Sequence, residues 1–286
     1  MRSSDAEHGV EFLEAWFRGN AYQKHRHDTY AVCLTTTGVQ AFHYRGRSEI
    51  STRGQVTVLY PDEAHDGHAG TEEGFGYRIL YVDPALIFEA MVSLSGHPRP
   101  LPCVRPPVTT NQKLSAAVTW AFQCTREPLA IDSLAVQLAE GLMEADPDSR
   151  WAPLPRSLDV AALNRARQYL DSQATRVVQS WELEVVTGLT RYDLARQFRV
   201  MCGTSPYRYS LMRRLGFARE RLALSQSLAE AAGDAGFADQ AHFSRMFKAA
   251  FGITPGRYRA LTVRRLPAPT THRGPGSARD PHRPTA

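Results

Sequence analysis

Two stretches of this chain place arginine, glutamine and other polar side chains at helical spacing after a glycine-containing turn, an arrangement suited to reading the edges of nucleic-acid bases. In the first, Gly188-Leu-Thr-Arg-Tyr-Asp-Leu-Ala-Arg-Gln-Phe sets Leu194 and Phe198 four residues apart, which pins one face of a helix to a core. Arg191, Tyr192, Arg196 and Gln197 are then left for the outer face. In the second, Phe243 and Phe247 repeat the spacing and leave Gln240, Ser244, Arg245 and Lys248 outward. Arginine can donate two hydrogen bonds to guanine O6 and N7, and glutamine can pair with adenine N6 and N7. An outward arginine serves a phosphate equally well, so the residue types define a nucleic-acid surface without naming a base sequence. Phe198, Phe237, Phe243, Phe247 and Tyr258 are assigned to the core, and Gly236 and Gly252 to helix ends and turns.

The elements that must carry these side chains follow from the flanking residues. Each reading helix is preceded by a short helical segment, from Leu183 and from Leu228, so the helix-turn-helix unit is written twice. Between the units, Pro206 stands in a helix-starting place after Thr204 and Ser205, and Tyr209, Met212, Leu215, Phe217 and Leu222 supply apolar contacts along a helix to Ser225. Such a helix would span about 30 Å at about 1.5 Å per residue. That nearly matches the ~34 Å between successive major-groove openings on one side of a duplex. Charge is partitioned accordingly. From Arg156 onward there are 21 Lys or Arg against 10 Asp or Glu, a net +11, whereas the preceding part has 13 against 19, a net −6, together making the chain's +5. The phosphate-attracting half is the half with the doubled motif.

These segments closely resemble the AraC/XylS family of bacterial transcription regulators. The resemblance lies in the stretch from Gly188 quoted above, in Gly203-Thr-Ser-Pro-Tyr-Arg-Tyr, and above all in Gly236-Phe-Ala-Asp-Gln-Ala-His-Phe-Ser-Arg-Met-Phe-Lys-Ala-Ala-Phe-Gly-Ile-Thr-Pro-Gly-Arg-Tyr-Arg. It implies reading helices that present Tyr192, Arg196 and Arg191, then Gln240, Ser244 and Arg245 with Asp239 and His242 as neighbours. It also implies promoter DNA and RNA polymerase as partners, activation of transcription, and a homodimer on two half-sites. Glu184 departs from the alanine usual at its place in the first short helix, and Ala195 replaces the longer polar reader of some members.

The acidic half reads as strands followed by helices, giving an α+β chain: an N-terminal β-barrel with trailing helices, then an all-α domain of two helix-turn-helix units joined by a long linker helix. Tyr30 to Thr37, Val39 to Arg45, Arg47 to Ser51, Gln55 to Tyr60 and Tyr77 to Val82 are rich in Val, Thr, Tyr and Leu and are separated by glycine or the Pro61-Asp62-Glu63 turn. Helices are expected from Asp83-Pro84 to Leu94, from Asn111 to Thr125 and from Ile131 to Ala145, the last two covering the barrel or meeting a second subunit. The expected domains are 1–150 and 157–266, with a proline-bearing linker from Asp146 to Arg156 and a disordered tail over 267–286 that holds five prolines. Four scattered cysteines without a C-x-x-C pair, no signal-peptide core, and an apolar stretch broken by Asp83, Pro84 and Glu89 point to a reducing cytoplasm and no membrane span.

His25-Arg26-His27 ahead of a strand and His65 after a turn resemble the cupin barrel, the sensor fold AraC/XylS regulators commonly carry, here over roughly residues 20 to 82. In metal-binding cupins an H-x-H pair, a following Glu and a later His converge on one ion. Ala31 and Val32 stand where that Glu would be sought, so no metal, no cofactor and no enzymatic activity are expected, although three histidines suit zinc and His68 lies near as a substitute. The expected use of His25, His27, Tyr30, Tyr44, Tyr60 and His65 is an effector pocket with aromatic faces and hydrogen-bonding groups. Three functions compete: an effector-controlled, sequence-specific regulator; a metal-dependent cupin enzyme with an accessory basic domain; and an architectural DNA binder whose barrel only dimerises.

Overall fold

A computed structural model describes residues 2–3, 8–148 and 158–263; the expected tail and most of the expected linker lie outside them. Among the described residues the first half holds nine strands: β1 (Arg2–Ser3), β2 (Val10–Phe17), β3 (Asn20–His25), β4 (Tyr30–Tyr44), β5 (Arg47–Thr52), β6 (Val56–Leu59), β7 (His65–Ala69), β8 (Phe75–Val82) and β9 (Val108–Thr109). The organising strand is β4. Its first half is sandwiched between β8 and β6, and its second half pairs with β5 and β7, so it bends from one sheet into the other. The bend is a bulge between Thr35 and Thr37 followed by Gly38 at a φ of 66°. A side chain at Gly38 would strike the Gly74 carbonyl, so only glycine fits. The two strands expected on either side of Gly38 are therefore one, and β1, β2, β3, β7 and β9 are additional to the expected set.

Alternation along β4 sorts the two barrel faces. Tyr30, Val32 and Leu34 join the core beneath the helices, whereas Ala31 and Cys33 face the barrel interior with Phe42, Tyr44, Leu59, Phe75, Tyr77 and Ile79. Helix α1 (Pro84–Ser95) opens on the Asp83 cap, whose carboxylate accepts from the Ala85 N–H. Helices α2 (Gln112–Ala121) and α3 (Pro128–Ala145) follow. Leu114, Ala117, Val118, Leu134, Leu138 and Leu142 bury in the same core as Val32 and Leu80, so this pair covers the barrel.

The second half is α-helical: α4 (Val160–Ser172), α5 (Ser180–Thr187), α6 (Arg191–Cys202), α7 (Pro206–Ala223), α8 (Leu228–Asp234), α9 (Gln240–Phe251) and α10 (Pro255–Val263). Leu163, Leu170, Leu183, Leu194 and Phe198 extend the barrel-side core, while Phe237, Phe243 and Phe247 build a separate core with Leu215 and Leu222 of α7. The linker helix α7 stops two residues short of the sequence expectation because Ser225 turns to a φ of 69°; it spans about 27 Å.

Candidate nucleic-acid interface

Both reading helices begin on side-chain caps that hold free backbone donors. Thr190 accepts from Asp193 N–H ahead of α6, and Asp239 accepts from His242 N–H at 2.6 Å ahead of α9. Asp239 is thus engaged as a cap. Glu184, the departure noted above, accepts from the Arg191 N–H at 2.8 Å, so it ties the short helix α5 to the start of α6. In the second unit Arg214 of α7 is buried and donates to the carbonyls of Ala235 and Gly236 at 2.8 and 2.6 Å, with its guanidinium 4.4 Å from the centre of the Phe237 ring. The linker helix therefore fixes the turn between α8 and α9 directly.

Arg191, Tyr192 and Arg196 lie exposed on α6, and Gln240, Arg245 and Lys248 on α9, with Ser244 and His242 half-buried. Arg191 stacks on Tyr192 at 5.0 Å, and Arg196 is held by Asp193 at 2.8 Å. Lys248 points toward the barrel side of α9, where it lines a cleft. Gln197 is a correction. It is buried on the core face between Leu194 and Met201, and its Oε1 accepts from Asp159 N–H at 2.8 Å, bracing the N-terminus of α4. Gln197→Ala is expected to cost about 1 kcal/mol in urea unfolding without changing base preference; altered preference in a binding-site selection would return Gln197 to the outer face. Arg199 is exposed one turn beyond Arg196 but lies near enough to Tyr60 of the barrel to act on it electrostatically, which sets it apart from the readers.

The first unit is clamped by an ionic triad. Arg176 donates to Glu182 at 3.0 Å, Tyr169 donates to the same carboxylate at 2.6 Å, and Gln179 N–H donates to it at 2.7 Å. Arg176, with these two further donors, pulls the Glu182 carboxyl from its ordinary 4.5 down to about 2. A depressed carboxyl stabilises the fold above its unfolded value, and that contribution is lost as pH falls from about 4.5 toward about 2. Melting temperature measured across that window should fall with acid in the parent and fall less in Glu182→Gln; parallel curves would refute the assignment.

The expected effector residues divide between two faces. His25, His27 and His65 come together inside the barrel mouth, one ring nitrogen of each within 4.8 Å of the others. Tyr44 faces the interior, and its hydroxyl accepts from Tyr60 N–H at 3.1 Å. Tyr30 is a second correction: it faces the helices, fully buried, with its hydroxyl donating to Pro102 O at 2.7 Å, and Tyr60 packs edge-on against it. Interior residues overlooked in the sequence include Tyr22 and Gln40, joined at 3.1 Å, and Tyr81, edge-on to His27. A cleft of about 580 Å³ adjoins the histidines, between Tyr22, Lys24, His43 and His68 on the barrel and Lys248 and Arg257 on the helical half.

Beyond the core that α4 to α6 share with the barrel side, the two halves meet along α7 and α9. Arg213 donates to the buried Asp28 at 2.8 Å, Arg208 pairs with Asp62 at 3.3 Å, and Arg219 pairs with Glu11 at 3.1 Å. The Arg26 N–H donates to Ala249 O of α9 at 3.1 Å.

A strand-rich barrel covered by helices and followed by two helix-turn-helix units on one bridging helix is the architecture of a DNA-binding regulator with a sensor domain. The comparisons agree. A model of the AraC-like ligand binding domain matches residues 7–139 and a helix-turn-helix domain model matches residues 185–261. The HTH-type transcriptional activator RhaS of Yersinia pestis is 26% identical over 265 residues, covering 85% of this chain and 91% of that protein. The transcriptional activator NphR of Rhodococcus is 30% identical over 131 residues, 46% of this chain and 37% of that protein. The crystal structure of apo ToxT K231A from Vibrio cholerae superposes with a TM-score of 0.61 at 13% identity, covering 91% of this chain and all of that one. The chain belongs to the AraC family of transcription regulators, with an N-terminal ligand-binding domain. Among the described residues no helix is long and apolar enough to cross a membrane.

Proposed function

We propose that this chain is a cytoplasmic, promoter-bound transcription activator in which a small molecule at the barrel changes how two reading helices sit on DNA. The observation that carries the reading is the pair of exposed polar faces, on α6 and α9, fixed to one bridging helix α7. The organisation is a sensor domain over 1–150 and a DNA-binding domain over 157–266, acting as a homodimer that recruits RNA polymerase and without catalytic activity. The relatives RhaS and NphR are transcriptional activators, which supports the polarity.

The three histidines are gathered too closely to admit an organic molecule between them, so the effector space is the adjoining cleft. Lys24, Lys248 and Arg257 set three fixed positive charges there against the single carboxylate of Asp66, which favours an anionic effector. An occupant would touch the barrel and α9 at once and so bias the seam between them. Selection of full-length protein on randomised DNA, repeated with small organic anions, tests this. Enrichment of one bipartite sequence, with an affinity that an anion shifts, is the expected result; recovery of unenriched DNA at moderate salt would end the regulatory reading.

A further inference from the structure

We propose that His25, His27 and His65 form a three-imidazole site for a divalent metal ion of zinc-like preference, placed where the barrel meets the second reading helix. The site is assembled from three points in the chain: the end of β3, the β3–β4 connection and the start of β7. All three rings are at least nine-tenths buried, and one nitrogen of each falls within 4.8 Å of the others. Tetrahedral ligation at about 2.0–2.1 Å brings imidazole nitrogens to about 3.3 Å apart, within reach of small side-chain rotations.

The hydrogen bonds show which nitrogens are available. Nδ1 of His25 lies 2.9 Å from Gln23 O, Nδ1 of His27 lies 3.0 Å from Thr29 O, and Nδ1 of His65 lies 3.0 Å from Glu63 O. A carbonyl only accepts, so in every ring Nδ1 carries the proton and Nε2 carries the lone pair. This is how an outer shell fixes the tautomer of metal-binding histidines. Nε2 of His27 has no hydrogen-bond partner although it is fully buried, and an unpaired buried acceptor is costly unless something coordinates it.

The donor set selects the ion. Three nitrogens without a carboxylate suit zinc, whereas manganese, calcium and magnesium favour oxygen. No carboxylate stands where a cupin glutamate would, yet three imidazole nitrogens converge, and a tetrahedral ion held by them would take a water or another small donor as its fourth ligand. Tyr22, edge-on to both His25 and His65, and Tyr81, edge-on to His27, wall the site.

Its position also matters. Arg26, between two of the ligands, is held on both sides by the helical half: its N–H by Ala249 O and its carbonyl by Arg208 at 2.8 Å. Gly252, at the end of α9, lies against His25, where an added Cβ would come 3.3 Å from Nδ1. An ion that fixes His25 and His27 therefore fixes the segment on which α9 rests. This tie rests on the regulatory reading; the metal site does not.

The test uses full-length protein stripped with chelator, then equilibrated with zinc or cobalt and dialysed. Mass spectrometry should find about one zinc per chain in the parent, the same in His43→Ala/His68→Ala, which removes the exposed neighbouring cluster, and at least tenfold weaker binding in His27→Ala and in His65→Ala. Absence of retained zinc in the parent, or undiminished binding in folded His27→Ala and His65→Ala, would overturn the site. Cobalt absorption needs no variant: intense visible bands of a four-coordinate ion are expected, and weak octahedral bands would also overturn it. For the tie, chelation should change affinity for a selected DNA site at least threefold in the parent; equal affinity with and without zinc would overturn the tie alone, and absence of any sequence preference would instead count against the regulatory reading.

Discussion

Asp28→Ala is expected to cost the full-length protein about 3 kcal/mol and to split one unfolding transition into two, because it removes the most buried carboxylate of the domain seam. Asp28 is 4% exposed and meets Arg213 at 2.8 Å, while Arg213 stacks on Tyr209 at 4.6 Å. Burial raises the Asp28 carboxyl and Arg213 opposes that rise, so the pair exists because each charge compensates the other. Removing one partner of a buried pair typically costs about 3–5 kcal/mol, since the remaining charge is stranded. Asp83 and Asp171 also act on Arg213, which places the expected loss at the lower end. Asp28→Asn keeps a hydrogen-bond acceptor and should lose less. Urea unfolding followed separately by tryptophan fluorescence and by far-ultraviolet dichroism checks both statements: coincident curves at parental stability would show that α7 does not depend on this contact.

Arg245→Ala should weaken the cognate DNA site by about 1–3 kcal/mol, roughly 5- to 150-fold, and relax preference at one base pair. Arg245 stands exposed on α9, and no carboxylate holds it among the described residues. Arg196, its counterpart on α6, must first give up Asp193 at 2.8 Å, so the same substitution there should have the smaller effect. Measurement against both the selected site and random DNA separates the alternatives. An equal loss on both would make Arg245 a phosphate anchor.

The helical half was legible because its apolar spacing is local. Leu194 with Phe198 and Phe243 with Phe247 mark the buried faces, and Pro206 and Asp83 mark helix starts where they occur. Gln197 misled because it was judged by polarity: Leu194, Gln197, Phe198 and Met201 share one helical face, and position outweighs type there. The barrel was less legible because its geometry depends on pairings between distant residues. Gly38 looks like a turn in sequence but passes the chain through a bulge, because the Gly74 backbone lies against it. Tyr30 sits one residue from the interior-facing Ala31, and strand alternation sends it to the opposite face. The convergence of His65 on His25 likewise comes from the pairing of β3 with β7, which no local pattern declares.

On the proposed reading, the two helices on the α7 bridge enter neighbouring openings of the same groove. Guanine methylation interference on a selected site, with the full-length protein, tests it most directly. The account predicts two clusters of interfering guanines about 10–11 base pairs apart on one face of the duplex, with binding lost when five base pairs are inserted between them. A single cluster, or binding that tolerates the insertion, would contradict it.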